Sequence, residues 1–455
     1  MILVLINILF CIISFVMVLV APDTYSYGFC IAAASLFLIQ NIIYFILRKD
    51  RNAVCFESFF AIAFGLTNFI YPIFYFPIND SFSVFVLDFN FSIISYATAV
   101  AYFAYSVYLL FLSIVEYKVS LSSESDSIVM QEDFIDYNKL LKQIFLIALM
   151  SFMGYLVSGG YASLSSEYQD SGSGVLEKGI SPYFYVLFFT STILIAFLLF
   201  KNHVLINAKI FYFVFIIATV LLFLSSGSRT LPLSLVLCLI VSFNNNVKKI
   251  SFPVFALIVC VGIVILAFIM YTRTAVSDKI GAFNDSDITS IWDFAFDLII
   301  NNRNLYTLID HAHTSGYTYG SSMLGGLLAP IPFAVGSLVS ITGIPPEYFT
   351  SAGLNTYLEL GFNSQWGLGT NLVSDVYLAF GLPGVVFFFG LLGYLIGKAK
   401  YLSVNNIYWH ICLYIFVSYA VFMVRGGFFD SFRFLIWGLV IVYVFTKFKL
   451  KTTDY

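Results

Sequence analysis

Charge is what this sequence has least of. Of its 455 residues, 10% are Asp, Glu, Lys or Arg, where soluble domains carry roughly 25%. Hydrophobic residues make up 60%, and the mean hydropathy is +0.93. A water-soluble fold has no way to hide that much apolar surface, so a soluble enzyme is excluded and an all-α polytopic membrane protein is implied. The net charge of −3 comes with no basic patch, which excludes nucleic acid as a partner. Cysteine is scarce and unpatterned. Its six copies (Cys11, Cys30, Cys55, Cys238, Cys260, Cys412) lie in or beside apolar runs without C-x-x-C spacing, and they read as small core residues. Glycine-rich phosphate loops are missing, both the G-x-G-x-x-G and the Walker type, and so is G-x-S-x-G.

Long apolar runs are what the chain does have. They lie at about 2–20, 29–47, 53–72, 91–115, 143–158, 183–200, 209–224, 231–243, 251–271, 373–396, 407–424 and 434–447. About 20 helical residues cross a hydrocarbon core, so the shorter runs must recruit their flanks. The first run has no basic segment before it and reads as an uncleaved helix. The chain therefore divides into residues 1–271 with nine spans, a large loop over 272–372, and residues 373–455 with three more. Placing the N-terminus inside puts 15 of the 22 basic residues in inner loops and 7 outside. About twelve spans with both termini cytoplasmic satisfies the positive-inside rule. The segment 321–342 is apolar but broken by Pro330 and Pro332, and is expected to be interfacial or re-entrant.

The two sides differ in kind as well as in number. Thirteen of the fifteen inner bases are lysine, whereas five of the seven outer ones are arginine: Arg229, Arg273, Arg303, Arg425 and Arg433. A lysine that only orients a chain needs nothing but a solvated charge. Arginine offers a planar fork that grips carboxylate or phosphate at two points and stays charged. As a charge near the membrane centre costs about 2.5–3.5 kcal/mol on insertion scales, such residues tend to be functional. Each arginine alone is equally well explained by lipid headgroups or a nearby Asp. The set of five points to an anionic ligand at the outer face.

Candidate chemistry lies in three places. Ser225 to Pro232 opens a helix at the outer side, where unpaired backbone N–H groups favour an anion beside Arg229. Arg425-Gly-Gly-Phe-Phe-Asp430-Ser-Phe-Arg433 carries two glycines expected to open the helix, with Asp430 either orienting an arginine or acting as a base. In the long loop, Ile291 to His311 has apolar residues at helical spacing and is expected to form an amphipathic helix on the outer interface. His311 and His313 follow. At i, i+2 they do not share a helix face, so a metal site is not supported, and either one is a general-base candidate. Glu347, Glu359 and Asp375 are the carboxylate alternatives. Asp285-Ser-Asp287 matches a nucleotide-sugar transferase pattern, but on the outer side, where such donors are not expected.

Several pieces together resemble a bacterial O-antigen polymerase of the Wzy type, a polymerase of oligosaccharide repeat units. They are Ser-Gly-Ser-Arg229-Thr, the late exterior loop, Ala-Pro-Ile-Pro and Ile-Pro-Pro, the Trp366-to-Gly384 entry into the tenth span, and Arg425-Gly-Gly-Phe-Phe-Asp430. The resemblance covers the chain from about residue 205 onward, with the overall length and span count. It implies a GT-C-like membrane glycosyltransferase whose donor and acceptor are glycans on undecaprenyl pyrophosphate. The leaving group already carries the activation, so no cofactor or metal is expected. On this reading the five arginines bind pyrophosphate, and His311, His313, Asp430 or Glu347 serves in catalysis. Tyr317, Tyr319 and Trp366 stack on sugars. Membrane lipids and a chain-length regulator protein are the expected partners. The site would face the periplasm from the bacterial inner membrane. The alternatives are a lipid-linked oligosaccharide flippase, which fits twelve spans but not a hundred-residue loop, and an O-antigen ligase, which differs in its acceptor.

Overall fold

The computed structural model describes residues 1–48, 50, 52–78, 89–122, 136–161, 179–201, 206–226, 228–276, 295–362, 364, 367–404 and 406–450, with backbone alone at 120–122, 266–276, 296–297 and 447–450. Among these residues there are helices and turns but no strand. Each of the twelve apolar runs is a helix: α1 (Ile2–Leu19), α2 (Tyr27–Leu47), α3 (Phe56–Ile70), α4 (Ile93–Ser122), α5 (Tyr137–Tyr155), α6 (Ser181–Leu198), α7 (Ile206–Ser225), α8 (Thr230–Asn246), α9 (Phe252–Val276), α13 (Leu372–Leu402), α14 (Ile407–Met423) and α15 (Phe432–Leu450). The late loop supplies α10 (Asn302–Ser315), α11 (Ala334–Thr342) and α12 (Ser351–Leu360). Among the described residues, eight helices are long and apolar enough to cross a membrane. The helices at Thr230–Asn246, Phe252–Ile265, Ile407–Met423 and Phe432–Thr446 are apolar but shorter. The run read as 143–158 did recruit its flanks, and its helical span extends over Tyr137–Gly160.

Helix α4 is the axis of the first half, with 83% of its apolar window buried. Its closest neighbour is α13, and the sequence explains why. Gly390, Gly393 and Gly397 recur at helical spacing along α13 and face Phe111, Tyr108 and Val115 of α4. A methyl group on Gly393 would collide with the Tyr108 carbonyl oxygen. Small residues thus let two backbones touch where lipid offers no hydrophobic drive for association. Between α1, α2 and α4 the binding is polar. Asn7 donates to Ser113 at 2.7 Å, Gln40 to Asn7 at 3.0 Å, and Ser106 to Gln40 at 3.0 Å.

Side-chain pairs fix which helix ends lie together. At one end, Tyr25 donates to the Pro72 carbonyl, Asn371 to Asn68, and the Leu372 N–H to the Val424 carbonyl. Tyr155 lies 5.7 Å from Tyr185, ring to ring. At the other end, Lys400 pairs with Glu57 at 3.0 Å and Glu116 at 3.1 Å, and Asn244 donates to Asn52. The Phe59 and Phe255 rings are 5.5 Å apart there, and Lys201 lies over Tyr137. The twelve helices therefore alternate in direction. The late loop, Arg229 and Arg425 lie at one end, the loop end. The described lysines between Lys118 and Lys249, with Lys398 and Lys400, lie at or toward the other, the lysine end.

The loop departs from expectation in two ways. Ile291 to His311 is not one helix. Residues 291–294 lie outside the described residues, a single turn covers Phe296–Ile299, and α10 starts at Asn302 and runs beyond His311 to Ser315. The break falls where the Asn301 side chain turns away to donate to the Thr370 carbonyl at 2.8 Å. Nor does α10 lie on the surface, because Leu305, Tyr306, Leu308 and Ile309 are fully buried against the bundle. Segment 321–342 is a hairpin of short helices. Its two arms meet at Phe333, whose left-handed backbone (φ 62°) is held by the Tyr183 hydroxyl at 2.6 Å. No residue of α11 is buried.

Candidate active site

The loop end is built around the turn that joins α14 to α15. As expected, Gly426 and Gly427 open the chain there, and α14 ends at Met423. The turn is held by two carboxylates. Asp430 accepts from the Gly427 N–H at 2.7 Å, and Asp375, buried in the first turn of α13, accepts from the Phe428 N–H at 2.8 Å. A Cβ on Gly427 would sit 3.4 Å from Asp430 Oδ1 and 3.5 Å from Asp375 Oδ2, so the two acids flank this glycine. Gly326 of the hairpin packs on Phe429 and Asp430, and its neighbour Gly325 packs on Phe349 and Thr350. The hairpin thus wedges between the Asp430 turn and the short 3-10 turn that carries Glu347. One Glu347 oxygen is buried without a hydrogen-bond partner among the described residues.

Asp430 is exposed to solvent, with Gly426, Gly427 and Gly326 crowding its carboxylate from the protein side. That crowding raises its carboxyl above the usual range, with Arg433 pulling the other way. A carboxylate so placed is a better proton acceptor near neutral pH than an ordinary surface one. The Arg433 guanidinium lies over the Phe434 ring at 4.7 Å. Arg229 takes the capping position of α8, and its carbonyl accepts from the Leu233 N–H. Helix α8 packs on α14, and α14 on α15, which places Arg229, Arg425 and Arg433 at the same end.

The two histidines point to opposite sides of α10. His313 Nε2 lies 2.8 Å from the Tyr377 hydroxyl, which lies 2.9 Å from that of Tyr96. His311 lines an open cleft beside α12. Burial lowers both imidazoles below their ordinary value, with Asp310 opposing in part. Arg303 is paired with Glu359 at 3.2 Å, both side chains nearly buried, and the Thr307 hydroxyl donates to the same carboxylate at 2.7 Å. Tyr317 packs on Gly381, where α13 breaks with φ 64°, and its ring meets Tyr377 at 6.0 Å. Tyr319 is 81% exposed. Trp366, Asp285 and Asp287 lie outside the described residues, as does the side chain of Arg273.

Further asparagines complete the cap. Asn304 donates to the Leu368 carbonyl at 2.8 Å, and Asn355 to the Gly369 carbonyl at 3.0 Å. Tyr96, Tyr377 and the Phe428 N–H were not legible as site groups in the sequence. Both tyrosines sit in apolar runs, where an aromatic residue is ordinarily core.

A helical bundle with Asp375, Asp430, His311, His313, Arg229, Arg425 and Arg433 toward one end has the architecture of a multi-pass membrane protein. The family model for the O-antigen polysaccharide polymerase Wzy matches residues 2–453, nearly the whole chain, and the protein belongs to that family. It is a glycosyltransferase-type polymerase that joins lipid-linked oligosaccharide repeat units into O-antigen, and the match does not favour a flippase or a ligase. No curated protein and no solved structure matches the chain.

Proposed function

We propose that the polymerase uses undecaprenyl-pyrophosphate-linked glycans as both donor and acceptor, at the periplasmic face of the bacterial inner membrane. All twelve apolar helices cross the membrane in a GT-C-like bundle, with both termini cytoplasmic. The alternation of helix ends and the gathering of lysines at the opposite end support this reading. The hairpin 321–342 carries no charge and dips into the outer leaflet as a re-entrant element.

A hydroxyl oxygen of the acceptor attacks the anomeric carbon of the donor. The bond from that carbon to the pyrophosphate oxygen breaks, and undecaprenyl pyrophosphate leaves. Asp430 takes the hydroxyl proton. Arg229, Arg425 and Arg433 hold the pyrophosphate and stabilise the charge that develops on it. Arg273 joins them from the end of α9. No metal is required, since the leaving group is already activated. Tyr317 and Tyr319 offer ring faces to the sugars. A chain-length regulator engages the same end of the protein.

The observation that carries this reading is the turn 425–433, in which Asp430 is held by the Gly427 N–H and faces Arg433, with Arg425 at the start of the same turn. Arg425→Ala and Asp430→Asn are expected to insert normally yet give lipopolysaccharide with a single repeat unit on gels. A normal ladder from both variants would overturn the assignment of this turn.

A further inference from the structure

Residues 307, 310, 311 and 314 share one face of α10, and that face lines an open cleft of about 470 Å³ bounded also by α12 and by Phe89. The volume lies within the range of about 300–1,000 Å³ typical of small-molecule sites. The groups in it are arranged for hydroxyls. Asp310 lines the cleft and is oriented by the Asn90 amide, which donates to its Oδ1 at 2.8 Å. The His311 ring lines the cleft and in its uncharged form offers one donor and one acceptor. The Phe89 ring is stacked on Tyr306, with centroids 5.2 Å apart, and forms a fixed aromatic rim suited to the C–H face of a sugar ring.

The charge of the cleft decides what does not bind. Among the described residues that line it there is no lysine or arginine, and the nearby Arg303 is already paired with Glu359. A pyrophosphate here would face the Asp310 carboxylate without a countercharge. The pyrophosphate ligands proposed above sit just before α8, near the end of α9, in the turn after α14 and on α15, and the cleft lies on α10 and α12.

We propose that this cleft is a glycan subsite, one that holds uncharged sugar residues of the lipid-linked substrate at a distance from its pyrophosphate. It rests on the polymerase reading given above and adds where the sugars lie. Asp310, His311 and Thr307 hydrogen-bond sugar hydroxyls there, and the Phe89 rim packs on a ring face.

The test uses the full chain in detergent micelles and saturation-transfer NMR, which registers weak ligands. The probes are the free repeat-unit oligosaccharide, stripped of lipid and pyrophosphate, and separately farnesyl pyrophosphate. Thr314→Trp fills the cleft and is expected to weaken oligosaccharide binding at least about tenfold with farnesyl pyrophosphate binding unchanged. Asp310→Asn, which keeps the shape, is expected to weaken it in the same direction should the tryptophan variant fail to fold. Absence of oligosaccharide binding by the native protein, wild-type binding by both variants, or displacement of the oligosaccharide by farnesyl pyrophosphate would each overturn the subsite. A full ladder from Arg425→Ala would instead sink the proposed pyrophosphate site and leave the oligosaccharide result standing, so the two failures are distinguishable.

Discussion

Asp375 and Asp430 grip consecutive N–H groups of one turn, Asp375 at Phe428 and Asp430 at Gly427, although 55 residues separate them in the chain. The first acid belongs to the start of a long helix and the second to the loop itself. The turn that presents Arg425 is therefore anchored from two directions.

That anchoring separates two neighbouring glycines. A Cβ on Gly426 would lie 2.8 Å from Asp430 Oδ2 and 3.2 Å from the Phe422 carbonyl oxygen, whereas one on Gly427 meets both acids at ordinary contact distance. Gly426→Ala must therefore push the Asp430 carboxylate away. Chain ladders from Gly426→Ala are expected to collapse toward one repeat, and those from Gly427→Ala to stay near normal. Equal ladders would mean that the position of Asp430 does not matter.

Acidity gives a second expectation, with its sign set by the direction of each shift. Asp430 is raised above its ordinary value of 3.8, so its basic form is lost at a higher pH than for a surface carboxylate. Removing Arg433, which opposes that rise, moves the acidic limb of the pH–rate profile further upward in Arg433→Gln, whatever the maximal rate. Stability runs differently. A raised carboxyl adds stability at low pH that is lost as pH climbs through its folded value. His311 and His313 are lowered from 6.5, and their contribution is present above that value and lost as pH falls toward their folded ones. Thermal unfolding of His313→Gln in detergent should show a weaker loss of stability between neutral and mildly acidic pH than the native protein.

Arg303 was expected among the pyrophosphate ligands, and its pairing with Glu359 gives it a structural task that can be separated from binding. Removing one partner of a buried pair costs about 3–5 kcal/mol, while replacing both with apolar residues is often neutral. Arg303→Ala should lower thermal stability and shorten chains. Arg303→Met combined with Glu359→Leu should restore both. Restored stability with chains still short would return Arg303 to the substrate.

The helices were legible because apolar runs in lipid have few alternatives to helix. Their ends were less so. Helices α4 and α13 run on to Ser122 and Leu402, beyond the apolar runs 91–115 and 373–396, and Glu116 and Lys400 in those extensions pair with each other while Lys400 also pairs with Glu57. Sequence spacing correctly put His311 and His313 on different faces. It could not show that Tyr377, 64 residues away, would receive one of them. The five outer arginines read as one set, but Glu359 claims Arg303, a partner that becomes visible only once α10 and α12 are packed.

The fastening of the cap has a consequence for the environment in which the enzyme works. At the loop end the bonds from Asn301, Asn304, Asn355 and Asn371 join amides to carbonyls, groups that neither titrate nor respond to ionic strength. At the opposite end, Lys400 and its acids rely on charge. A periplasm shares the salt and pH of whatever surrounds the cell, whereas a cytoplasm is buffered. On the orientation proposed above, these amide seams, together with the Arg303–Glu359 pair, face the periplasm, and the Lys400 clamp faces the cytoplasm.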